Sequence, residues 1–473
     1  MSRMNGTRRV VVVGAGIGGL VAAVELAVRG REVLVLERAA APGGKIGEAE
    51  VGGARISTGP MLLTLRDVFE EVFALAGARL DEALALRPIR DLGRHLWPDG
   101  RVLDLPAGLR AGMDAVGAFT GSSAEARGYG ALLARAKRVF EALDRPFLRA
   151  PRPSATGLAM EVGMGRLLSL SPFGLLGDAV ASHLRDARLR QAMGRFAAYV
   201  GGEPALAPAT LLLVAHVEQL GLWRVEGGML RLVEALAALA TARGAALRLG
   251  AEVREIRVEG GRAAGVRLEG GEEVAARAVV LNAEPAALSA GLFGREAARA
   301  VPVPRRRSLS AVTWAMLAEA EGPLAAQTTL HPDPFARAGP LAAAPLTIFA
   351  EDRLEGRAAA LERLLIGVGV PARPFAGAAE ARLAPLARAG IALRPQAMAV
   401  STPDDFAARF PGSAGALYGV APEGWASAFE RPGTRTALPG LFLAGGGTHP
   451  GAGVAMAAIS GRLAARAIMG EVR

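Results

Sequence analysis

The N-terminal part of the chain carries glycines at a spacing suited to binding a pyrophosphate. Gly14, Gly16 and Gly19 form a G-x-G-x-x-G pattern that also contains Gly18, and Glu37 follows downstream. In this pattern the first glycine allows a tight turn, the second lets the backbone approach phosphate, and the third lets helix and strand pack closely. Glu37 is placed to accept hydrogen bonds from ribose hydroxyls. These residues together predict a dinucleotide site.

The elements around these glycines have the order that such a site requires. Residues 8–13 (RRVVVV) predict a buried parallel strand, residues 17–29 a tightly packed helix, and residues 31–37 a second buried strand. The N-terminus of the helix offers free N–H donors and partial positive charge to phosphate. The complete order favours dinucleotide binding over a glycine-rich turn without a ligand.

A second loop follows the acidic residue directly. Glu37 disfavours the 2′-phosphate of NADP, and residues 42–45 (PGGK) form a glycine loop that ends in a cation. Such a loop suits close passage of the backbone along a second phosphate. The site residues predicted here are Arg38, Gly43, Gly44 and Lys45.

The C-terminal end repeats the arrangement. Residues 438–443 predict a turn and a strand, residues 445–453 (GGGTHPGAG) a loop, and residues 454–469 a helix of small residues. Backbone N–H groups at the start of this helix could bind the pyrimidine edge of a flavin. The cofactor-binding residues predicted here are Gly445, Gly446, Gly453, Val454 and Met456.

Composition excludes several classes of site. Of the 473 residues 51% are hydrophobic and 21% charged, which is typical of a globular protein. The chain has no cysteine, so disulfides, iron–sulfur clusters and thiolate nucleophiles are excluded. Its five histidines have no helical ligand spacing, and we predict no metal site.

The charge pattern and the hydropathy bear on partners. The net charge is +10, but the basic residues are scattered and aromatic residues make up 5%, so we expect no nucleic acid partner. We predict no transmembrane helix. Arg8 and Arg9 before an apolar run resemble an export signal, but the run is better explained as a strand, and we expect a cytoplasmic protein.

These motifs resemble the bacterial phytoene desaturase family of FAD-dependent carotenoid oxidoreductases. Within that family the chain is similar to the subfamily of 3,4-desaturases that act on 1-hydroxy or 1-methoxy carotenoids. The segments that carry the resemblance are residues 14–20, 42–45, 58–60, 189–204, 221–229, 281–285 and 445–453, and those for the narrower match are 94–100, 197–212 and 415–424.

The resemblance implies an α/β fold. A Rossmann-like FAD-binding domain of the glutathione-reductase/amine-oxidase type would hold an inserted α+β substrate domain. It also implies cofactor contacts from Gly59, Pro60 and Met61, and adenine contact from the backbone of Val253. Family members often have an acid before the position of Thr58, which is absent here. The FAD-binding domain would comprise residues 1–66, 222–296 and 432–473, and the substrate domain residues 67–221 and 297–431.

The activity implied is desaturation. Flavin N5 would take a hydride and a proton would leave the adjacent carbon, forming the C3–C4 double bond, with oxygen or quinone as the electron acceptor. Conjugation with the polyene would stabilise the developing cation, so no strong base is needed. The resemblance places His449 in the flavin loop, either as a catalytic candidate or as a ring that only packs on the cofactor. Tyr199 and Trp223 are candidates for the substrate tunnel, with core packing as the alternative.

A water-insoluble carotenoid must be met at a membrane or on a carrier. Residues 158–176 are apolar and are explained either by core packing or by a membrane-facing entrance with Arg166 at headgroup level. The resemblance therefore implies a peripheral membrane protein. The other functions left open are a phytoene-type desaturase, a carotenoid cis–trans isomerase and a prenyl-lipid binding protein without enzymatic activity.

Overall fold

A five-stranded parallel sheet, built from strands far apart in sequence, forms the first large layer of the fold. The structure is a computed structural model that describes residues 8–335, 344–357 and 359–470. The strands predicted at 8–13 and 31–37 are confirmed as neighbours in this sheet. Val12 lies beside Val35 on one side and Val280 on the other. The five strands, in sheet order, are Leu441–Leu443, Ala278–Leu281, Arg9–Val13, Glu32–Leu36 and Ala246–Arg248.

Two helices of small residues cover one face of this sheet. They are Ile17–Val28 and Val454–Met469, and both match their predicted bounds to within one residue. A Cβ atom on Gly461 would lie 2.2 Å from the backbone oxygen of Gly18, so the two helices touch through bare backbone. This contact brings the N-terminal and C-terminal glycine loops to the same edge of the sheet.

An antiparallel meander covers the other side. Its strands are Val253–Glu259, Arg262–Leu268 and Glu273–Ala275, joined by the predicted glycine turns at 260–261 and 270–271. Further helices pack around these sheets, and they are Arg66–Leu75, Leu80–Ala83, Leu230–Ala242, Pro285–Ser289, Arg295–Ala298 and Ser427–Glu430.

A mixed seven-stranded sheet forms the second large layer. The paired strands Ser310–Glu321 and Glu362–Val370 are the second and third from one edge of this sheet. The edge strand Ala392–Ser401 was not anticipated, because its mostly exposed side chains give no apolar alternation. In sheet order the strands are Ala392–Ser401, Ser310–Glu321, Glu362–Val370, Leu346–Ala350, Gln327–Leu330, Asp91–Leu96 and Val102–Pro106.

Residues 109–218 are mostly helical. The turn that contains Pro146 is a π-helix, Asp144–Leu148, which directly follows the helix Ser123–Leu143. In the described residues no helix combines the length and the apolar character needed to cross a bilayer. The helices are Leu109–Thr120, Ser123–Leu143, Ala155–Val162, Met164–Ser169, Leu176–Ala181, Ala187–Met193, Arg195–Ala198, Ala209–Leu212 and Leu213–Leu220.

Shorter elements complete the chain. Two-stranded ladders pair Glu48–Val51 with Ala54–Ser57 and Leu86–Pro88 with Trp223–Val225. The remaining helices, which lie beside the seven-stranded sheet, are Glu351–Leu354, Glu380–Leu383, Ala384–Arg388 and Pro403–Arg409.

Candidate active site

A cavity of about 1500 Å³ lies between the glycine loops and the seven-stranded sheet. One wall contains residues 16–18, 43–46 and 58–62 and the C-terminal loop from 445 onwards. The opposite wall contains strand residues such as Thr313 and Gly367. The volume exceeds the ~300–1,000 Å³ typical of pockets for small ligands, so the cavity can hold a cofactor and a long substrate together.

The N-terminal loops form a cradle without side chains. A Cβ atom on Gly19 would lie 2.1 Å from the oxygen of Gly14, which has a φ of +101°. A Cβ atom on Gly44 would lie 3.1 Å from the Cα of Gly16. Both loops thus expose bare backbone at the start of the helix Ile17–Val28, where a pyrophosphate fits by charge and by space.

The acid at the end of the second strand is fixed by backbone donors. The N–H groups of Ala15 and Ala39 donate to the two carboxylate oxygens of Glu37 at 2.7 and 2.9 Å. The Ala251 N–H donates to the backbone oxygen of Glu37, which brings the segment leading to Val253 alongside. Glu37, Arg38 and Val253 lie outside the cavity lining, beyond the N-terminal loop.

Asn282 lies between the N-terminal and C-terminal glycine loops and was not among the predicted site residues. Its amide nitrogen donates to the Gly14 oxygen at 3.2 Å. Its amide oxygen faces Gly18 and Gly445, where an added Cβ atom would lie 2.8 Å away in each case. Around it the C-terminal loop lines the cavity with Gly445, Gly446, Gly453, Val454 and Met456.

The side chain of Lys45 is held by an ion pair at the cavity wall. Its ammonium group forms an ion pair with the buried carboxylate of Glu284 and donates to the Leu417 oxygen at 2.7 Å. The rings of Phe406 and Phe410 lie 5.5 and 5.9 Å from the nitrogen. Glu284 thus engages this cation inside the cavity. The passage of the loop backbone along a second phosphate stays a prediction.

Arg431 links the C-terminal loop to the segment 418–420. Its guanidinium donates to the backbone oxygens of Tyr418, Val420 and Gly446 at 2.8, 2.9 and 3.1 Å. Burial lowers the pKa of Arg431 to about 10, with Glu284 acting in the opposite direction. Nothing in the sequence distinguishes this arginine from the many others.

His449 lies in the C-terminal loop but does not line the cavity. Its Nε2 donates to the backbone oxygens of Phe147 and Ala150 at 2.8 and 3.1 Å, and its ring packs edge-on against Phe147. Burial lowers the pKa of His449 to about 4, which keeps the ring neutral at pH 7. The observed partners of the ring are thus Phe147 and Ala150, and both its contact with the cofactor and a catalytic role stay predictions.

The two tunnel candidates lie in different places. Tyr199 lines the cavity at the end of a helix. Trp223 is absent from the lining, where its neighbour Leu222 appears, and its ring lies under the guanidinium of Arg66 at 4.7 Å. The structure therefore supports the core alternative for Trp223.

The segment 58–61 lines the cavity with Thr58, Gly59, Pro60 and Met61. The Ser57 N–H donates to the Glu351 carboxylate at 2.6 Å, so an acid distant in sequence supports the segment that lacks one locally. Burial raises the pKa of Glu351 to about 7.

One end of the cavity opens between exposed apolar side chains, which we call the apolar mouth. It consists of Met164, Leu168, Phe173 and Trp425, which line the cavity and are 45–64% exposed. The rings of Phe173 and Trp425 contact each other at 5.4 Å. The described residues contain no group of three or more acidic or histidine side chains suited to hold a metal.

Comparison with known proteins agrees with this geometry. Residues 17–469 match the model of the flavin containing amine oxidoreductase family. The hydroxyneurosporene desaturases of Rubrivivax gelatinosus and Cereibacter sphaeroides are 42% and 43% identical to the chain, over 98% of it and 94% and 98% of their own length. A solved putrescine oxidase variant shares the fold with a TM-score of 0.65 at 18% identity, covering 98% of this chain and 99% of its own. The chain belongs to the flavin containing amine oxidoreductase family and, within it, to the carotenoid desaturases.

Proposed function

We propose that the protein is an FAD-dependent desaturase that forms the C3–C4 double bond of a 1-hydroxy or 1-methoxy carotenoid. The observation that carries the proposal is the cavity, which runs without interruption from the bare glycine loops to the apolar mouth. Similarity to the hydroxyneurosporene desaturases supports the substrate class.

The proposed FAD site uses both glycine loops. The pyrophosphate would lie on the backbone of the N-terminal loops, and Glu37 would bind ribose. The flavin would lie against residues 58–61 and the C-terminal loop, and when bound it accepts the hydride that leaves the substrate. We assign residues 1–66, 222–296 and 432–473 to the FAD-binding domain, and residues 67–221 and 297–431 to the substrate domain.

The contribution of the protein to the reaction is alignment and exclusion of water. Apolar side chains hold an extended polyene between the sheet and the helices. Two of the carboxylates that line the cavity, Glu284 and Glu218, are paired with Lys45 and Arg195. Proton loss from a conjugated cation needs only a weak acceptor. These ion pairs therefore hold the surrounding segments in place and do not act as catalytic bases.

The apolar mouth is the proposed contact with a membrane surface. A carotenoid dissolved in the bilayer would pass between these side chains into the cavity without crossing water. Arg166 lies exposed between Met164 and Leu168 in sequence and can meet anionic headgroups.

Anaerobic single turnover tests the proposal. The FAD-loaded protein is mixed with 1-hydroxyneurosporene in liposomes, and flavin absorbance is followed together with the mass of the carotenoid. We expect loss of flavin absorbance and a product lighter by two hydrogens. Turnover of phytoene alone would contradict the substrate assignment, and a spectral shift without change of mass would indicate an isomerase. Oxygen and a quinone are then added separately to identify the acceptor.

A further inference from the structure

A second group of polar side chains lines the cavity, apart from the pair of Lys45 and Glu284. Four of them, Arg195, Tyr199, Glu218 and Gln327, line the cavity where the helices meet the strand Gln327–Leu330. A desaturase for a pure hydrocarbon has no use for such a cluster, because each buried polar group without a partner costs free energy.

Two members of the cluster satisfy each other. The guanidinium of Arg195 donates to both carboxylate oxygens of Glu218 at 2.7 and 3.1 Å, and the two side chains are 10% and 5% exposed. Although burial acts to lower the pKa of Arg195, the Glu218 carboxylate outweighs it and the pKa is raised. The two side chains therefore form an ion pair with both carboxylate oxygens engaged, which acts as a fixed support.

Tyr199 lies close to the ion pair of Arg195 and Glu218 and lines the cavity. The residue is 40% exposed. Burial raises the pKa of Tyr199 to about 12, with hydrogen bonding from Gln327 and Arg195 opposing it. The hydroxyl thus keeps its proton and can donate it in a hydrogen bond.

Contacts place the helix end that carries Tyr199 on the side of the cavity near the proposed flavin. Gly201, two residues after Tyr199, lies under the ring of Tyr418, whose neighbour Leu417 accepts a hydrogen bond from Lys45. Lys45 directly follows the bare backbone of Gly44. The helix end that carries Tyr199 is therefore tied to the second glycine loop.

The register of the seven-stranded sheet also locates the polar cluster relative to the proposed flavin site. Gln327 pairs with Phe349, which pairs with Leu365, and the side chain of Leu365 contacts the position of Gly59. Two strand spacings of ~4.8 Å separate Gln327 from Leu365, so the cluster lies about 10 Å across the sheet from the segment 58–61. A group on C1 of the substrate lies only two carbons from the C3–C4 bond, so its binding partner must lie on this side.

We propose that Tyr199 and Gln327 form a polar subsite that binds the terminal oxygen of the carotenoid, and that this subsite selects 1-oxygenated carotenoids over hydrocarbon ones. The proposal rests on the proposed function and names the recognition element within it. A phenol donor serves both a tertiary hydroxyl and a methyl ether, since each offers an acceptor oxygen. A hydrocarbon end would leave desolvated polar groups without a partner, which penalises its binding.

Tyr199→Phe tests the subsite, and Tyr129→Phe is the matched control. Tyr129 is a buried tyrosine of the helical core that is close enough to Arg195 and Glu218 to interact with them electrostatically but does not line the cavity. The control therefore removes a hydroxyl near the ion pair that does not line the cavity where the substrate would bind. Dissociation constants for 1-hydroxyneurosporene and for neurosporene are measured by quenching of tryptophan fluorescence in detergent, and kcat/KM is measured for both. Gln327→Met is the second subsite variant.

We expect Tyr199→Phe to weaken binding and kcat/KM for the hydroxylated carotenoid about 10-fold, a loss typical of one buried hydrogen bond. Neurosporene should be affected less than about 2-fold, and Tyr129→Phe should change neither ratio. Equal losses for both carotenoids, or no loss for either, would overturn the subsite. Absence of wild-type turnover would refute the proposed function alone, because the binding ratios test the subsite independently of turnover.

Discussion

At the scale of single residues, Glu351 is expected to make stability depend on pH. Its pKa of about 7 lies above the ordinary 4.5, so the folded state holds the proton more tightly than the unfolded chain. Stability from this group is therefore present below about pH 4.5 and is lost as pH rises through 7. Glu351→Gln keeps an acceptor for the Ser57 N–H but does not titrate. Urea denaturation should show the variant about 2 kcal/mol more stable than the parent at pH 8, relative to pH 5. Parallel pH profiles of the two proteins would contradict this account.

His449 separates a positioning role from a catalytic one. His449→Gln loses the ring that packs on Phe147 and weakens the hydrogen bonds to the segment 147–150. With saturating FAD we expect kcat to stay within about 3-fold, while the melting temperature falls by a few degrees. General acid–base catalysis contributes ~10²–10⁴-fold, so a loss of 100-fold in kcat with unchanged stability would show that the ring takes part in the reaction.

At the scale of elements, the contact between the first and last helices holds the two glycine loops together. Gly461→Ala would place a methyl group 2.2 Å from the Gly18 oxygen and force the helices apart. We expect a loss of about 2–4 kcal/mol in stability and at least 10-fold weaker FAD binding, measured by urea denaturation and by flavin fluorescence. Gly165→Ala is the matched control, because that helical glycine has open space around it. Equal FAD affinity in the two variants would disprove the role of this contact.

At this scale, elements that a continuous stretch of sequence encodes could be predicted, whereas contacts between distant residues could not. The helix 454–469 and the strand 8–13 are visible in sequence because burial of small or branched residues is continuous there. Asn282, Arg431 and Glu351 could not be predicted. Each acts on backbone that is distant in sequence, and a lone polar residue carries no periodicity.

At the scale of the whole molecule, the apolar mouth should control attachment to membranes. Exchanging Met164 and Phe173 for serine removes two exposed apolar side chains, each worth ~1.5–3 kcal/mol when buried. We expect binding to anionic vesicles, measured by co-sedimentation, to weaken at least 10-fold, with activity in detergent retained. The paired control exchanges Leu109 and Val303, which are as exposed but lie outside the cavity lining. If both pairs reduce sedimentation equally, the mouth is not the attachment surface.

The most direct measurement of the central claim follows the fate of hydrogens on the substrate. 1-Hydroxyneurosporene labelled with deuterium at every position of C3 and C4 is turned over by the FAD-loaded protein, and the product is analysed by mass spectrometry. Desaturation at C3–C4 should give a product that has lost two deuterium atoms, one from each carbon. A product that retains all four, whether isomerised or desaturated elsewhere in the chain, would contradict it.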